Sequence, residues 1–553
     1  MLQSFRLVAF LLLLGFFTCC QSNSRQPVDL VVYNATVYTV DSAFTKATAF
    51  AVRDGKFVAV GDEAAIRGQY AGKESLDAAG QFIYPGFYDA HCHFYRYALG
   101  LRAADLVGTT SWAQVVKKLQ QQRRQYPQAA WLTGRGWDQN DWVSKQFPTK
   151  DTLDALFPNT PVFIARVDGH AALVNQKALD LAGITPRTPI SGGTISKDAA
   201  GRLTGLLIDN AVDLVTTKIP EPTTTEANAA LLEAQQRCIA VGLTSLADAG
   251  LDKANIDQLA ALQQQGQLKL RLYAMLNPTK ANKDFYLKNG PVFQDRLTVC
   301  SFKVYADGAL GSRGACLLRP YADKPPETGF LLSSIADYRA LAKELAASKF
   351  QMNTHAIGDS SNRLLLTIYG EVLRGKNNRR WRIEHAQVVS KADVAKFGQY
   401  SIVPSVQPTH ATSDMYWAGE RLGAERLATA YAFNDLRQQY GQVALGSDFP
   451  VEDINPLFGF HSAVARQDAK NYPAKGFQTT NALSRSDALR GMTTWAAHAA
   501  FEDQQKGSIA PGMAADFVLL NLDLLQAPKE QLRSAKVQQT WIAGEKVFSS
   551  IKN

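Results

Sequence analysis

Cysteine and histidine are scarce, and long apolar or basic runs are missing. The chain has 553 residues, with 6 cysteines and 8 histidines. Cys92, Cys238, Cys300 and Cys316 are scattered and show no C-x-x-C spacing. Free, mostly buried thiols are the expectation, with no pairing assignable from sequence. Lys and Arg outnumber Asp and Glu, 59 to 50. The basic residues nevertheless form no run and do not interleave with aromatics, so the excess reads as a solvated surface and not a nucleic-acid footprint. No tandem repeat or low-complexity tract is visible. With 46% hydrophobic residues the chain can bury a large core, and its length allows two to four domains if a barrel counts as one.

The apolar run from Leu7 to Phe17, behind Arg6, is too short to span a bilayer comfortably and reads as a signal-peptide core. Thr18-Cys19-Cys20-Gln21-Ser22-Asn23-Ser24 follows and is similar to a bacterial lipobox with a polar tether. Cleavage before Cys19 or Cys20 would leave a lipidated cysteine. The protein would then be exported to the cell envelope and held to a membrane of the periplasm or outer surface. Simple secretion is the alternative. One departure is that Thr18 or Cys19 stands where a small residue is usual.

Residues 21–80 read as a small antiparallel sheet, with a turn at Asp54-Gly55 between two apolar runs. Residues 501–553 have the same character, and the two pieces are expected to form one discontinuous β-sandwich. Between them, residues 81–500 contain eight strand candidates: Gln81–His93, Gly242–Asp248, Leu268–Leu276, Leu297–Tyr305, Phe350–His355, Trp381–His385, Ser401–Gln407 and Gln442–Asp448. Helical stretches separate most of them, at Thr225–Val241, Ile256–Gln265 and Ile335–Lys349. Alternating strands and helices argue for a parallel sheet, and eight such units for a (β/α)8 TIM barrel. The first connection is too long for one helix. Residues 97–240 or so are expected to be an insertion covering the barrel mouth.

His91 and His93 sit at i and i+2 on the first strand, where both side chains share a face. Alone this signal is weak. His355 ends the fifth strand, His385 the sixth and Asp448 the eighth, while Lys303 lies near the end of the fourth and His410 just after the seventh. Barrel active sites gather at strand C-termini. A metal site built by several strand ends is therefore expected.

These residues, with the Pro85-Gly86-Phe87-Tyr88-Asp89-Ala90 approach, resemble the amidohydrolase superfamily. Gly134-Arg135-Gly136-Trp137-Asp138-Gln139, Asp168-Gly169-His170-Ala171, Asp307 to Arg313, His355-Ala356-Ile357-Gly358-Asp359, Arg382 to Gln387 and Gly446 to Val451 resemble its YtcJ-like branch, which includes N-substituted formamide deformylase. The resemblance implies that His91, His93 and Asp448 hold one divalent ion, zinc, and that His355 and His385 hold a second or else complete and support a site for one ion. Lys303 would bridge as a carbamate, or remain a plain lysine pairing with Asp307 or a substrate carboxylate. Asp448 would be the general base and then acid, with His385 or His410 stabilising the oxyanion. Trp137, Trp142, Arg166, Asp168 and His170 are candidates for lining a substrate pocket, with packing the alternative for the two tryptophans and a structural role for His170, and Arg313 for binding an anionic group or pairing with a nearby carboxylate. The implied reaction is hydrolysis of a small-molecule, non-peptide C–N bond such as an N-formyl or N-acyl amide. Cyclic-amide hydrolysis or deamination is the alternative, and a non-enzymatic binding lipoprotein is a distant third. Oligomeric state is left open.

Overall fold

The computed structural model describes residues 25–220 and 222–550. The signal-peptide core, Cys19 and Cys20 lie outside the described residues.

Eight parallel strands form the barrel, in the order Phe87–Cys92, Leu243–Leu251, Arg271–Leu276, Leu297–Tyr305, Gln351–Ala356, Arg382–His385, Val403–Val406 and Ala444–Leu445. Each strand is hydrogen-bonded to its sequence neighbour. The last gap is bridged by single bonds: the Asp448 N–H donates to the His91 carbonyl at 2.7 Å, and the His93 N–H to Phe449 at 2.8 Å. The strands are almost wholly buried, which explains their near-continuous apolar runs. The helix Thr224–Ala240 before strand two begins with a capping box, in which Thr223 and Glu226 satisfy each other's backbone amides.

The first strand differs from its sequence reading. Gln81–His93 is not one strand but two, in two different sheets. Phe82–Pro85 pairs with Phe517–Leu520 of the C-terminal piece, and Phe87–Cys92 enters the barrel. The break falls at Gly86, where a Cβ would come within 2.3 Å of the Thr244 hydroxyl. Only glycine lets the backbone pass strand two this closely.

Two sheets flank the barrel. One runs Lys56–Gly61, Ala49–Arg53, Gln26–Tyr33, Tyr70–Asp77; the other runs Glu545–Ser549, Val537–Ile542, Phe517–Leu520, Phe82–Pro85, Thr36–Tyr38, Lys46–Ala47. Val32, Phe50, Phe57, Ile83, Phe517 and Trp541 pack in one core between them. A buried ion pair ties this sandwich to the barrel. The Arg271 guanidinium, at the start of strand three, donates to Asp516 at 2.6 and 3.1 Å.

The insertion after strand one is a unit with its own six-stranded sheet, ordered Gly193–Lys197, Leu203–Asp209, Ala171–Val174, Val162–Arg166, Leu132–Trp137, Ala104–Asp105. It has a separate core around Leu106, Val115, Leu132, Trp137, Trp142 and Leu173. Cys92, Cys238, Cys300 and Cys316 are all free, and the first three are buried. No helix among the described residues is long and apolar enough to cross a membrane.

Candidate metal centre

The barrel brings the strand-end polar residues together at its C-terminal face. His93 Nε2 lies 3.2 Å and His91 Nε2 3.4 Å from Asp448 Oδ1. The other oxygen, Asp448 Oδ2, lies 3.5 Å from His410 Nε2. The imidazoles of His355 and His385 meet edge to face with centroids 4.4 Å apart, and the His385 ring stacks at 6.0 Å on His410. Two triads have ligand atoms within 4.8 Å of one another: His91, His93, Asp448 and His385, His410, Asp448. They share the aspartate.

Backbone geometry aims the shared residues. His385 has φ 71°, Ala386 φ 43° and Asp448 φ 60°. Left-handed backbone at non-glycine residues costs of the order of 1 kcal/mol or more, and such conformations cluster at functional sites. Here the turn lets neighbouring Glu384 and His385 both serve the barrel interior. Glu384 Oε2 accepts from His91 Nδ1 at 2.6 Å, with both side chains fully buried. That contact puts the proton on Nδ1 and leaves Nε2 with a lone pair, the form in which it can accept a bond or ligate. His93 is set the same way, its Nδ1 donating to the Ala249 carbonyl at 2.9 Å.

The electrostatics favour neutral ligands around one anion. Burial pulls His93 down to about 4, against the pull of Asp448. Burial also holds His355 and His385 well below the usual histidine range. Asp448 pays the same desolvation, yet contacts from His410 and His93 keep its carboxylate far below the ordinary range. His410 is the exception. Burial opposes its charge, but Asp448 and Glu452 flank it and push it up to about 10.

A metal fits these residues. Asp448 Oδ1, His355 Nε2 and His385 Nδ1 are all buried and have no hydrogen-bond partner. Orphaned polar atoms of this kind are costly unless something else satisfies them. An aspartate oxygen and two imidazole nitrogens left so, beside the two triads, are donors that a divalent ion would satisfy.

Two comparisons decide the family. The model of the amidohydrolase family matches residues 74–548. The protein LONG AFTER FAR-RED 3 of Arabidopsis thaliana is 33% identical over 94% of this chain and 91% of its own.

The chain belongs to the amidohydrolase family.

The putative amidohydrolase YtcJ of Bacillus subtilis is 30% identical, covering 93% of this chain and 98% of its own. N-substituted formamide deformylase of Arthrobacter pascens is 26% identical over 93% and 97%. Among solved structures, an uncharacterized metal-dependent hydrolase of Pyrococcus horikoshii superposes with TM-score 0.74 at 26% identity, covering 90% of this chain and 99% of that one. This amidohydrolase is a metal-dependent hydrolase built on a (β/α)8 barrel.

The structure sorts the candidates read from sequence. His91, His93, His385, His410 and Asp448 converge. His355 falls in neither triad, although its ring touches His385. Lys303 is fully buried with its Nζ 2.9 Å from His91 Nε2. It does not pair with Asp307, because that carboxylate is taken by the amides of Ile357, Gly358 and Cys316 and by the Ser361 hydroxyl. Arg313 is spent on Asp323 at 2.8 Å. Asp168 pairs with Arg166, which also holds Asp138. Trp137 and Trp142 lie in the insertion core, and their indole N–H groups donate to the carbonyls of Ile164 and Thr109, both at 3.0 Å. These two are packing residues. His170 does reach the site, with its ring 5.1 Å from that of His355.

Glu384, Asp89 and Asp209 escaped the sequence reading. Asp89 joins the first and eighth strands by accepting from the amides of His91 and Ser447 at 3.1 and 3.0 Å and from the Ser447 hydroxyl at 2.6 Å. Its position two residues before His91, on the same strand face, was the available signal.

Proposed function

We propose that this amidohydrolase cleaves a non-peptide C–N bond, an N-formyl or N-acyl amide of a small amine, by attack of water. The observation that carries the reading is Asp448. Its Oδ1 faces His91 and His93 while its Oδ2 faces His410. One oxygen is thus disposed as a ligand and the other for proton handling.

His91, His93 and Asp448 would hold one ion, and His385 with His355 would hold a second or complete the site of the first. Zinc suits the nitrogen-rich set. Bound there, it would polarise the amide carbonyl and bring water to ionise near neutral pH. Asp448 Oδ2 takes the proton from the attacking water and returns it to the leaving nitrogen. The His410 imidazolium, steadied by Glu452 Oε1 at 3.0 Å, stands beside that carboxylate and stabilises negative charge forming on the substrate oxygen. Glu384 keeps His91 in the right tautomer.

Lys303 is read as carbamylated in the active protein. As the free amine its Nζ would add to CO2, and with two protons lost from the ammonium in all, a buried cation would be replaced by an anion beside His91. Support comes from its complete burial and from Asp307 being committed elsewhere.

The relative named as a formamide deformylase favours an N-formyl substrate class. The test is a screen of N-formyl and N-acyl amines with the purified protein, following release of amine and of ammonia. Amine release supports the proposal; ammonia release points to a deaminase instead, and no turnover of any amide defeats it. Export with a lipidated Cys19 or Cys20 is also proposed, supported by the order of charged, apolar and cysteine residues at the N-terminus. Mass spectrometry of the mature N-terminus from membrane fractions tests it. An unprocessed Met1 in the soluble fraction contradicts it.

A further inference from the structure

The insertion does more than cover the barrel mouth. His170 immediately precedes the strand Ala171–Val174, and Asp209 ends its antiparallel neighbour Leu203–Asp209, where Ala171 pairs with Ile208. Two bonds lock them together. The Asp209 amide donates to the His170 carbonyl at 2.7 Å, and His170 Nδ1 meets Asp209 Oδ1 at 2.7 Å. The His170 amide donates in turn to Asp168 Oδ1 at 3.0 Å. The ring is therefore fixed at its backbone and at one edge, and its face lies against His355 of the barrel.

Asp209 is a costly residue to keep. Its carboxylate is fully buried, and Oδ2 has no hydrogen-bond partner. Its backbone is left-handed, with φ 52°. The loop after barrel strand four closes tightly around it: a Cβ on Gly308 would come 2.6 Å from Oδ1, and one on Gly314 2.5 Å from Oδ2. Packing alone would be better served by an apolar side chain, since a half-satisfied buried carboxylate is destabilising. The feature that uses the charge is His170.

We propose that His170 and Asp209 form a dyad that the insertion supplies to the barrel site. His170 contacts the substrate through Nε2 at the His355 side of the centre. Asp209 is a positioning residue that commits Nδ1 and so fixes which nitrogen faces the substrate. Coupling a carboxylate to the far nitrogen of a working imidazole is a general way of setting its orientation. The substrate group it meets is a polar atom of the scissile amide. The loop bearing Gly308 and Gly314 thereby becomes part of the specificity apparatus, because it holds Asp209. The inference rests on the hydrolase reading above.

The test uses the zinc-loaded full chain and acetohydroxamate, a small zinc-chelating amide analogue, titrated by calorimetry. His170→Ala and Asp209→Asn are each expected to weaken hydroxamate binding by about 10–100-fold, with zinc content and the unfolding midpoint kept. The double variant should bind no worse than His170→Ala, because coupled residues are not additive. His170→Gln guards against misfolding: it can still donate to Asp209 but lacks the second ring nitrogen, and it should lose affinity equally. Unchanged hydroxamate affinity in His170→Gln, additive losses in the double variant, or zinc lost together with affinity would each overturn the dyad. Hydroxamate binding is read without turnover, so an inactive substrate screen would count against the substrate class and leave this result intact.

Discussion

His91 Nδ1 lies 2.6 Å from Glu384 Oε2, and neither side chain is exposed. The pair spans the barrel from its first strand to its sixth. It leaves the His91 Nε2 lone pair as an acceptor facing Asp448 and Lys303. Burial works against the charge of Glu384, but His91 and then Arg382 hold the carboxylate below the usual range.

Glu384→Gln removes that charge and keeps the shape. Zinc affinity, read by competition with a chelator, should fall by about 10–100-fold, as is usual when a carboxylate supporting a metal-bound histidine is lost. Unchanged affinity would mean that His91 is not a ligand or is oriented by something else.

Lys303 should be carbamylated in protein prepared with labelled bicarbonate. A 13C signal from a protein-bound carbamate is expected in the wild type and absent in Lys303→Ala. Activity of Lys303→Ala should fall by about 100-fold or more if the carbamate is part of the ligand set. A wild type without the signal would leave Lys303 as a buried cation.

Trp137→Phe removes the indole N–H from the Ile164 carbonyl and leaves a small void in the insertion core. It should cost about 1–3 kcal/mol in denaturant unfolding. KM should stay within about twofold, because a change in a packing residue is felt in stability and not in ground-state binding. A raised KM at unchanged stability would return Trp137 to the substrate pocket.

Acid sensitivity should track Asp516. Burial opposes its ionisation, but Arg271 outweighs it and holds the carboxyl below its ordinary value. The folded pKa is thus depressed relative to the unfolded one. The pair's stabilisation is complete above the unfolded value, about 3.9, and is lost as pH falls through the folded one. Unfolding midpoints should be flat near neutrality and drop below about pH 4. Asp516→Asn should lower stability by about 1–3 kcal/mol at pH 7, since it leaves Arg271 with only the more exposed Asp295 as a charged partner, and should flatten the acid limb. An acid limb identical to the wild type would show that other carboxylates control it.

Much of this was legible in the sequence because a parallel barrel delivers the ends of its strands to one place. His91, His93, His355, His385 and Asp448 could be read from strand order alone. Glu384 could not, because strict alternation would turn it away from His385, and only the left-handed backbone at 385 and 386 lets both face inward. Asp209 lies 39 residues from His170, in a sheet whose pairing no local pattern announces. Trp137 was open to two readings, since an aromatic beside Asp138 in a conspicuous motif is as well suited to an insertion core as to a pocket, and the structure buries it in the core. The break at Gly86 was hidden because both halves of Gln81–His93 are apolar, and the clash that forces it comes from Thr244 on another strand.

The most direct test is metal content against activity in the full chain purified without chelator. One or two divalent ions per chain are expected, removed together with hydrolysis by dipicolinate and restored together by zinc. Asp448→Asn should lower kcat by about 100–10,000-fold, the usual worth of a positioned proton-transfer group. Wild-type protein that hydrolyses an amide at full rate with less than a tenth of an ion per chain, or an Asp448→Asn variant that matches it, would contradict a metal centre organised by Asp448.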